Sequence, residues 1–413
     1  MNKKIKSSIK TKYRKRNIKK KSKKTIKNII SGGKRIGKGG WGCVVKPAIK
    51  CPNYNLKLNN TISKLIFRDT DSDDINDELE TYKKLKQIDP KFKYFLTYHK
   101  ICRLTNSNDR SNVVSVKFLN SKHKQYKIIN SKKSKNINSS YCPIDFSVKP
   151  INIIMPDGGN SLYQILKNQK FIKEQNILKN NITTYFKHLL KCLQILHNQE
   201  IIHRDIKEDN IMAKYNVKHD YLNIRLIDFG LCDKIKNIKN INDIRRQGTL
   251  GYISPDLYIL KYIIKYYDYL LSHENTDYKV INVIKSEIKS KICKKLSKLS
   301  VTQKNMSIKV DSDSSLLYVN GIFTLDDLTE TYNHLFNLYD DDKILNSYLN
   351  KKSGYVYKVD VYSLGIVFQS IVQELNINNI KLKKLIINML HINPETRFTV
   401  NECLNDDFFK DSS

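Results

Sequence analysis

The chain has no Cys-x-x-Cys pair, no uninterrupted run of 18 apolar residues, and no acidic side chain among its first 30 positions. The first absence bears on metals and cross-links. Its eight cysteines, Cys43, Cys51, Cys102, Cys142, Cys192, Cys232, Cys293 and Cys403, are scattered singly, a spacing that argues against a zinc site and against a disulfide framework. Reduced thiols are the expectation. The second absence excludes a membrane-spanning helix as hydropathy would show it, and the N-terminus lacks the apolar stretch of a secretory signal. A soluble intracellular protein, cytoplasmic or nuclear, is expected.

The third absence concerns residues 1–30, which carry 14 Lys or Arg. Self-repulsion and too few apolar residues make residues 1–33 a disordered basic tail. Its densest cluster, Lys12 to Lys24, suits a nuclear address or a grip on nucleic acid or another polyanion, and equally a merely solvated tail. Over the whole chain Lys+Arg 74 against Asp+Glu 40 gives a net charge of +34, which favours anionic partners. The abundance of Lys, Asn and Ile throughout also fits an AT-rich coding sequence. At 413 residues there is length for two or three average domains, or for one two-lobed enzyme with insertions.

Chemistry concentrates in Ile201 to Met212, Ile-Ile-His-Arg-Asp-Ile-Lys-Glu-Asp-Asn-Ile-Met. Apolar pairs bracket eight mostly charged residues, the pattern of short buried strands that hold a polar loop in place. Just before it, Ile182, Tyr185, Phe186, Leu189, Leu190, Leu193 and Leu196 recur at helical spacing and predict a rigid helix as its base. The run His203-Arg204-Asp205, with Lys207 and Asn210 in register, resembles the catalytic loop of eukaryotic-type protein kinases. Phosphoryl transfer needs a carboxylate to orient the attacking hydroxyl and cations to neutralise phosphate oxygens. The resemblance gives the first role to Asp205, contact with the transferring phosphate to Lys207, and a magnesium ligand to Asn210. A lysine at 207 marks serine/threonine rather than tyrosine specificity in that family. Further on, Asn223 to Ile227 reads as a strand delivering Asp228-Phe229-Gly230. By the same resemblance Asp228 holds magnesium, Phe229 packs beside His203 and Tyr82, and Gly230 permits the turn.

The resemblance extends upstream. Gly37-Lys38-Gly39-Gly40-Trp41-Gly42-Cys43-Val44 fits G-x-G-x-x-G-x-V, in which glycines let a hairpin backbone approach phosphates. Trp41 would shield the tip and Val44 would pack on adenine. A short strand, Thr61 to Phe67, follows instead of a long helix, which disfavours a dinucleotide-binding unit. Lys64 on that strand, 22 residues beyond Gly42, is the expected ATP-anchoring lysine, with Pro47 to Asn60 as a hairpin extension. Its expected partner is Glu78 on a helix from Asp74 to Ile88, where Leu79, Tyr82 and Leu85 form the apolar face; Glu80 gives a poorer one. Asp89-Pro90 ends that helix. One strand is expected near Val113 to Leu119 and a flexible insertion over about 120–140. Ile151 to Met155 reads as a buried strand running into Pro156-Asp157-Gly158-Gly159, similar to the hinge of the family, with Met155 guarding the pocket behind.

Downstream, Gly248-Thr249, Tyr252 and Ser254-Pro255-Asp256 resemble the family's peptide platform, with Thr249 touching the catalytic aspartate. Asp256 departs from the pattern, which has Glu paired to a buried Arg, here Arg397; the geometry of the shorter carboxylate is open. Leu231 to Gln247 contains no Ser, Thr or Tyr. Activity is therefore expected not to depend on phosphorylation there, with Arg204 held by Asp233 or Asp243. Asp360 in Asp360-Val361-Tyr362-Ser363-Leu364-Gly365 is expected to hydrogen-bond the catalytic-loop backbone. An insertion over about 257–350 opens with a stripe of Tyr258, Ile259, Tyr262, Ile263, Tyr266, Tyr269 and Leu270, read as packing on the larger lobe or as a docking module. Helices at Lys381 to Leu390 and Thr399 to Leu404 complete the match.

The expected fold is α+β and two-lobed: a small, mainly β lobe over 34–156 and a larger helical lobe over 157–413, with ATP and Mg2+ between them. The implied activity is transfer of the γ-phosphate to protein Ser/Thr hydroxyls. The insertions and composition also resemble kinases of giant DNA viruses, so host cell or virion is a further expected location. Competing readings are a pseudokinase scaffold, a small-molecule phosphotransferase, and a polyanion-binding structural protein. Intact Lys64, Asp205, Asn210 and Asp228 weigh against the first, the platform against the second, and the motifs against the third. Cues to the substrate conflict, Asp209 favouring basic peptides and Arg245 and Arg246 acidic ones; Leu231 leans towards serine. Oligomeric state is not legible.

Overall fold

The computed structural model describes residues 34–39, 42–51, 60–66, 73–104, 150–244, 248–249, 251–257 and 354–412, with 341–350 and scattered positions between 259 and 335. The basic tail, Gly40, Trp41, most of the hairpin extension after Pro47, the strand expected at 113–119, the insertion at 120–140, Arg245, Arg246 and most of the 257–350 stripe lie outside them. The chain divides into two compact units, one comprising the described residues up to Asn76 and Thr97–Asp157, the other Asp77–Leu96 and Gly158 onward.

The first unit is an antiparallel five-stranded sheet of order β1-β2-β3-β5-β4: β1 Lys34–Gly39, β2 Gly42–Lys46, β3 Thr61–Ile66, β4 Lys100–Arg103 and β5 Ile151–Pro156. Strand alternation sorts its side chains. Cys43, Val45 and Leu65 join Ile49 and Leu104 in one apolar cluster, so Val44 and Lys64, which are paired in register, share the opposite face. β3 lies between β2 and β5, so Lys64 sits on an interior strand. Gly42 is required by close approach, because a Cβ there would stand 1.7 Å from the Leu65 carbonyl oxygen.

This unit overturns one expectation. Cys51 and Cys102 form a disulfide, and Cys43 is disulfide-bonded as well. The partners are 51 residues apart in sequence, and the sheet brings them together over buried Asn152, whose amide lies 3.8 Å from each sulfur. No local spacing announces such a pairing. Cys192, Cys232 and Cys403 are free thiols.

The second unit is built on two helices that the sequence marks by different patterns. Helix α1, Asp73–Ile88, belongs to it from Asp77 onward and buries Glu78, Thr81, Tyr82 and Leu85. Leu79 is only half-buried, and Glu80 turns outward to an ion pair with Lys234 at 2.7 Å. Asp89 closes the helix by accepting from the backbone N–H groups of Lys93, Tyr94 and Phe95 at 2.7–2.9 Å. After strand β6, Asn160–Ser161, come α2, Leu162–Lys167, α3, Ile172–Asn180, and the amphipathic α4, Ile182–Asn198. α4 buries Tyr185, Phe186, Leu189, Leu190, Cys192, Leu193 and Leu196, and Phe186 stacks on Phe368 at 3.6 Å between ring centroids. Phe368 lies on α6, Tyr355–Glu374, with 14 of its 20 residues buried, which makes it a central rather than an amphipathic surface helix.

Around these run the pairs β7, Ile201–Ile202, with β10, Asp233–Lys234, and β6-β8-β9, where β8 is Ile211–Asn216 and β9 Tyr221–Leu226. Helices α5, Asp341–Leu349, α7, Ile380–Met389, and α8, Val400–Leu404, complete it. Among the described residues no helix is long and apolar enough to cross a membrane. Arg397 and Asp256 pair at 2.7 Å with both side chains fully buried, so the shorter carboxylate does reach. Tyr348 on α5 donates to its other oxygen at 3.0 Å.

Candidate active site

The loop between β7 and β8 is held from below. Asp360 on α6 accepts from the His203 N–H at 2.7 Å and the Arg204 N–H at 2.8 Å, and His197 at the end of α4 lies 3.2 Å from the same carboxylate. Burial alone would push the Asp360 carboxyl up. The His197 hydrogen bond, the charges of His197 and His203 and the His203 N–H outweigh it and hold the group below its ordinary value. Arg204 takes a left-handed backbone, φ 67°, and its carbonyl oxygen would stand 2.3 Å from a Cβ at Gly248. Gly248, at φ 116°, is therefore doubly constrained to lack a side chain. The Arg204 guanidinium pairs with Asp233 at 3.0 Å, one of the two partners expected; Asp243 instead accepts from the backbone of Lys239 and Asn240.

Asp205 is buried and over-determined. Oδ1 accepts from the Thr249 N–H at 2.9 Å and its hydroxyl at 2.7 Å. Oδ2 accepts from Lys207 Nζ at 2.7 Å and Asn210 Nδ2 at 2.9 Å. Lys207 also reaches the Thr249 hydroxyl at 2.6 Å, and Asn210 Nδ2 the Asp205 carbonyl at 2.7 Å. Four groups separated by up to 44 residues thus fix one carboxylate, as a positioned acid or base requires. His203 packs its ring on Phe229 at 5.4 Å, and Tyr82 meets Phe229 edge-on at 5.6 Å.

Asp228 follows β9 in a left-handed conformation, φ 65°, an uncommon backbone for a residue with a side chain. The preceding Ile227 N–H donates to the Asn210 carbonyl at 2.9 Å, which ties this turn to the loop at 203–210. A Cβ on Gly230 would lie 3.3 Å from Glu78 Oε2 and 3.6 Å from Asp228 Oδ1, so both carboxylates border one point. Lys64, Val44, Met155 and the glycine strands β1 and β2 belong to the first unit, where Met155 is buried and in register with Ile62.

Sequence reasoning passed over Glu208. It is 3% exposed and accepts from the Tyr252 hydroxyl through Oε2. Burial raises its pKa against the opposing pull of Tyr252 and Ser370. Asp209 is raised too, by burial ahead of the opposing Lys207 charge. A charged residue inside a charged loop gives no sequence signal of which way it turns.

A fold and site of this kind resemble those of a protein kinase domain. The family model described as protein kinase domain matches residues 108–270. The chain is similar to sperm motility kinase 2B of Mus musculus, 34% identical over 99 residues, covering 24% of this chain and 18% of the relative. Likenesses also extend to serine/threonine-protein kinase mph1 of Schizosaccharomyces pombe, 33% over 108 residues, 26% of this chain and 14% of the relative. Serine/threonine-protein kinase CLA4 of Candida albicans is 34% identical over 99 residues, 24% of this chain and 9% of the relative. The chain therefore spans less than a fifth of the length of these relatives. The chain resembles the eukaryotic-type protein kinase family, and its β-sheet unit and helical unit are consistent with the α+β fold of that family.

Proposed function

We propose that the chain is an ATP-dependent serine/threonine protein kinase, with Asp205 as the carboxylate that orients the substrate hydroxyl and accepts its proton. The observation that carries this reading is the fourfold restraint on Asp205 by Thr249, Lys207 and Asn210. A carboxylate so held loses little freedom on meeting a hydroxyl. Lys207 brings a positive charge beside that hydroxyl, where negative charge on the transferring phosphoryl is offset.

The donor set suits magnesium. Asp228 and Asn210 supply hard oxygen ligands of the kind that leave positions for water and phosphate. Asn210 commits its amide N–H groups to Asp205, which leaves its carbonyl oxygen for a cation. Bound Mg2+ supplies charge neutralisation between the phosphates. We assign Lys64, Glu78 and the Gly37–Val44 strand pair to the nucleotide, and Met155 to the adenine side. The serine/threonine assignment is supported by Lys207 and by the names of the relatives.

The test is transfer of labelled γ-phosphate to a panel of proteins by the full chain, comparing wild type with Asp205→Asn and Asp228→Asn. Labelling is expected in wild type alone, on serine and threonine. Equal labelling by all three refutes the assignment.

A further inference from the structure

In the five-stranded sheet, β5 pairs with β3 along its whole length, Ile151–Pro156, but among the described residues it pairs with β4 only from Ile151 to Ile154. On an antiparallel strand alternate residues turn both backbone groups to the same neighbour. The carbonyls of Pro150 and Ile154 accept from the Leu104 and His99 N–H groups, at 2.9 and 2.7 Å, so the even-numbered residues face the β4 side, and Pro156 is the next of them. There β4 has already ended. The residue whose N–H would project from that open edge is thus a proline, which has none. Asp157 does not stand in for it: its N–H donates to the Asn60 carbonyl at 2.9 Å, and Lys46 holds its carboxylate at 2.7 Å. All of these groups belong to the first unit.

We propose that this edge is the wall that meets the base of a bound nucleotide, and that Pro156 makes it tolerant of guanine, so that the chain binds GTP nearly as well as ATP. The inference rests on the kinase reading above, in which Lys64, Val44 and Met155 border the nucleotide. Ile153 is paired with Lys64, and Met155 lies two residues on, so both share the face that carries Lys64 and Val44. A base laid on that face beside Met155 turns its hydrogen-bonding edge to Pro156. Adenine presents an amino donor and a ring-nitrogen acceptor; guanine presents a ring N–H, an amino donor and a carbonyl. A backbone N–H at position 156 would pair with the adenine ring nitrogen but stand donor against donor to the guanine ring N–H, which is one way a site rejects a wrong partner. Proline removes that opposition, and its carbonyl suits the donors of either base. A site that hydrogen-bonds one ligand can reject an analogue by about 10,000-fold or more, whereas apolar walls alone discriminate weakly.

The experiment measures equilibrium binding to the full chain: a fluorescent ATP labelled on the ribose, with its base edge unmodified, is displaced by unlabelled ATP or GTP in the presence of Mg2+. Wild type is expected to bind GTP within about tenfold of ATP. Pro156→Ala, which returns an N–H to the edge, is expected to raise the preference for ATP by about tenfold or more, through loss of GTP affinity. Pro156→Val returns the same N–H from a residue suited to a strand and serves where alanine unsettles the sheet. A wild-type preference for ATP above about tenfold, or a ratio unchanged in both variants, overturns the inference and leaves the kinase reading standing. Binding of neither nucleotide overturns both. Similar binding of the two with no transfer to any protein counts against the kinase reading and keeps the inference.

Discussion

Replacing Arg397 with alanine tests the architecture of the second unit at its most enclosed point. The guanidinium donates to Asp256 at 2.7 Å, to the His391 carbonyl at 2.7 Å, to Ile392 at 2.9 Å and to Lys358 at 3.2 Å. Removing it strands a fully buried carboxylate that keeps, among the described residues, Tyr348 and Ser254 as side-chain donors, and takes a donor from three carbonyl groups. Breaking one side of a buried pair costs about 3–5 kcal/mol, a large share of the ~5–15 kcal/mol that holds a typical domain folded. With a urea slope near ~3 kcal/mol/M, the unfolding midpoint should fall by about 1–1.7 M. The double variant Arg397→Met with Asp256→Leu should lose less than Arg397→Ala alone, because no charge is left behind. A midpoint within ~0.3 M of wild type for Arg397→Ala, on the same urea scale, refutes the reasoning.

Three further outcomes follow from particular contacts. Asp360→Asn removes the charge that holds the His203 and Arg204 N–H groups and should lower kcat by about 10- to 100-fold through misplacement of Asp205. Because the Asp360 carboxyl is held below its ordinary 3.8, its contribution to stability is complete above that pH and is lost as pH falls below it. The gap in urea midpoint between wild type and Asp360→Asn should therefore be flat from pH 7 to about 5 and close only below 3.8; a gap that widens on acidification contradicts the assignment. Phosphatase treatment should leave activity intact, since Asp233 already neutralises Arg204, whereas Asp233→Asn should reduce it several-fold; inactivation by phosphatase defeats that account. Reduction of Cys51–Cys102, which closes 51 residues, should destabilise the first unit by up to ~4 kcal/mol, and alkylation before reduction should leave both cysteines unlabelled.

The parts of this molecule that were legible in the sequence are those where one local pattern serves one purpose. The α4 stripe, the strand before Asp228 and the loop at 203–210 each carry their own periodicity or motif, and the structure has them where that pattern puts them. Asp360 and Thr249 were legible through resemblance, although their contacts span more than 40 residues. What escaped depends on encounters between segments that carry no mark of each other. Strand β4 is four residues long with an ordinary composition, and it exists because β5 offers it an edge. Cys51 and Cys102 meet because strands β3 and β5 bring their neighbours together. Glu208 looks like any other charge in a charged loop until the burial of Tyr252 and α6 around it is known.

Asp256 shows how a departure from a family pattern is absorbed. The expected glutamate would span the distance to Arg397 with one more methylene and face the guanidinium with both oxygens. An aspartate placed at the same backbone position can offer one oxygen at 2.7 Å, which leaves the other without a charged partner in a site closed to water. That second oxygen is met at 3.0 Å by Tyr348, whose hydroxyl lies in α5, near the end of the segment 257–350 read from the sequence as an insertion. Ser254 approaches the first oxygen from the platform itself. Burial, followed by the charge and hydrogen bond of Asp256, raises the Tyr348 hydroxyl well above its usual range, so the tyrosine stays a donor at any pH the fold survives. Tyr348→Phe should therefore cost about 1–3 kcal/mol by orphaning that oxygen, while the same change made with Asp256→Glu should cost less than the two changes summed.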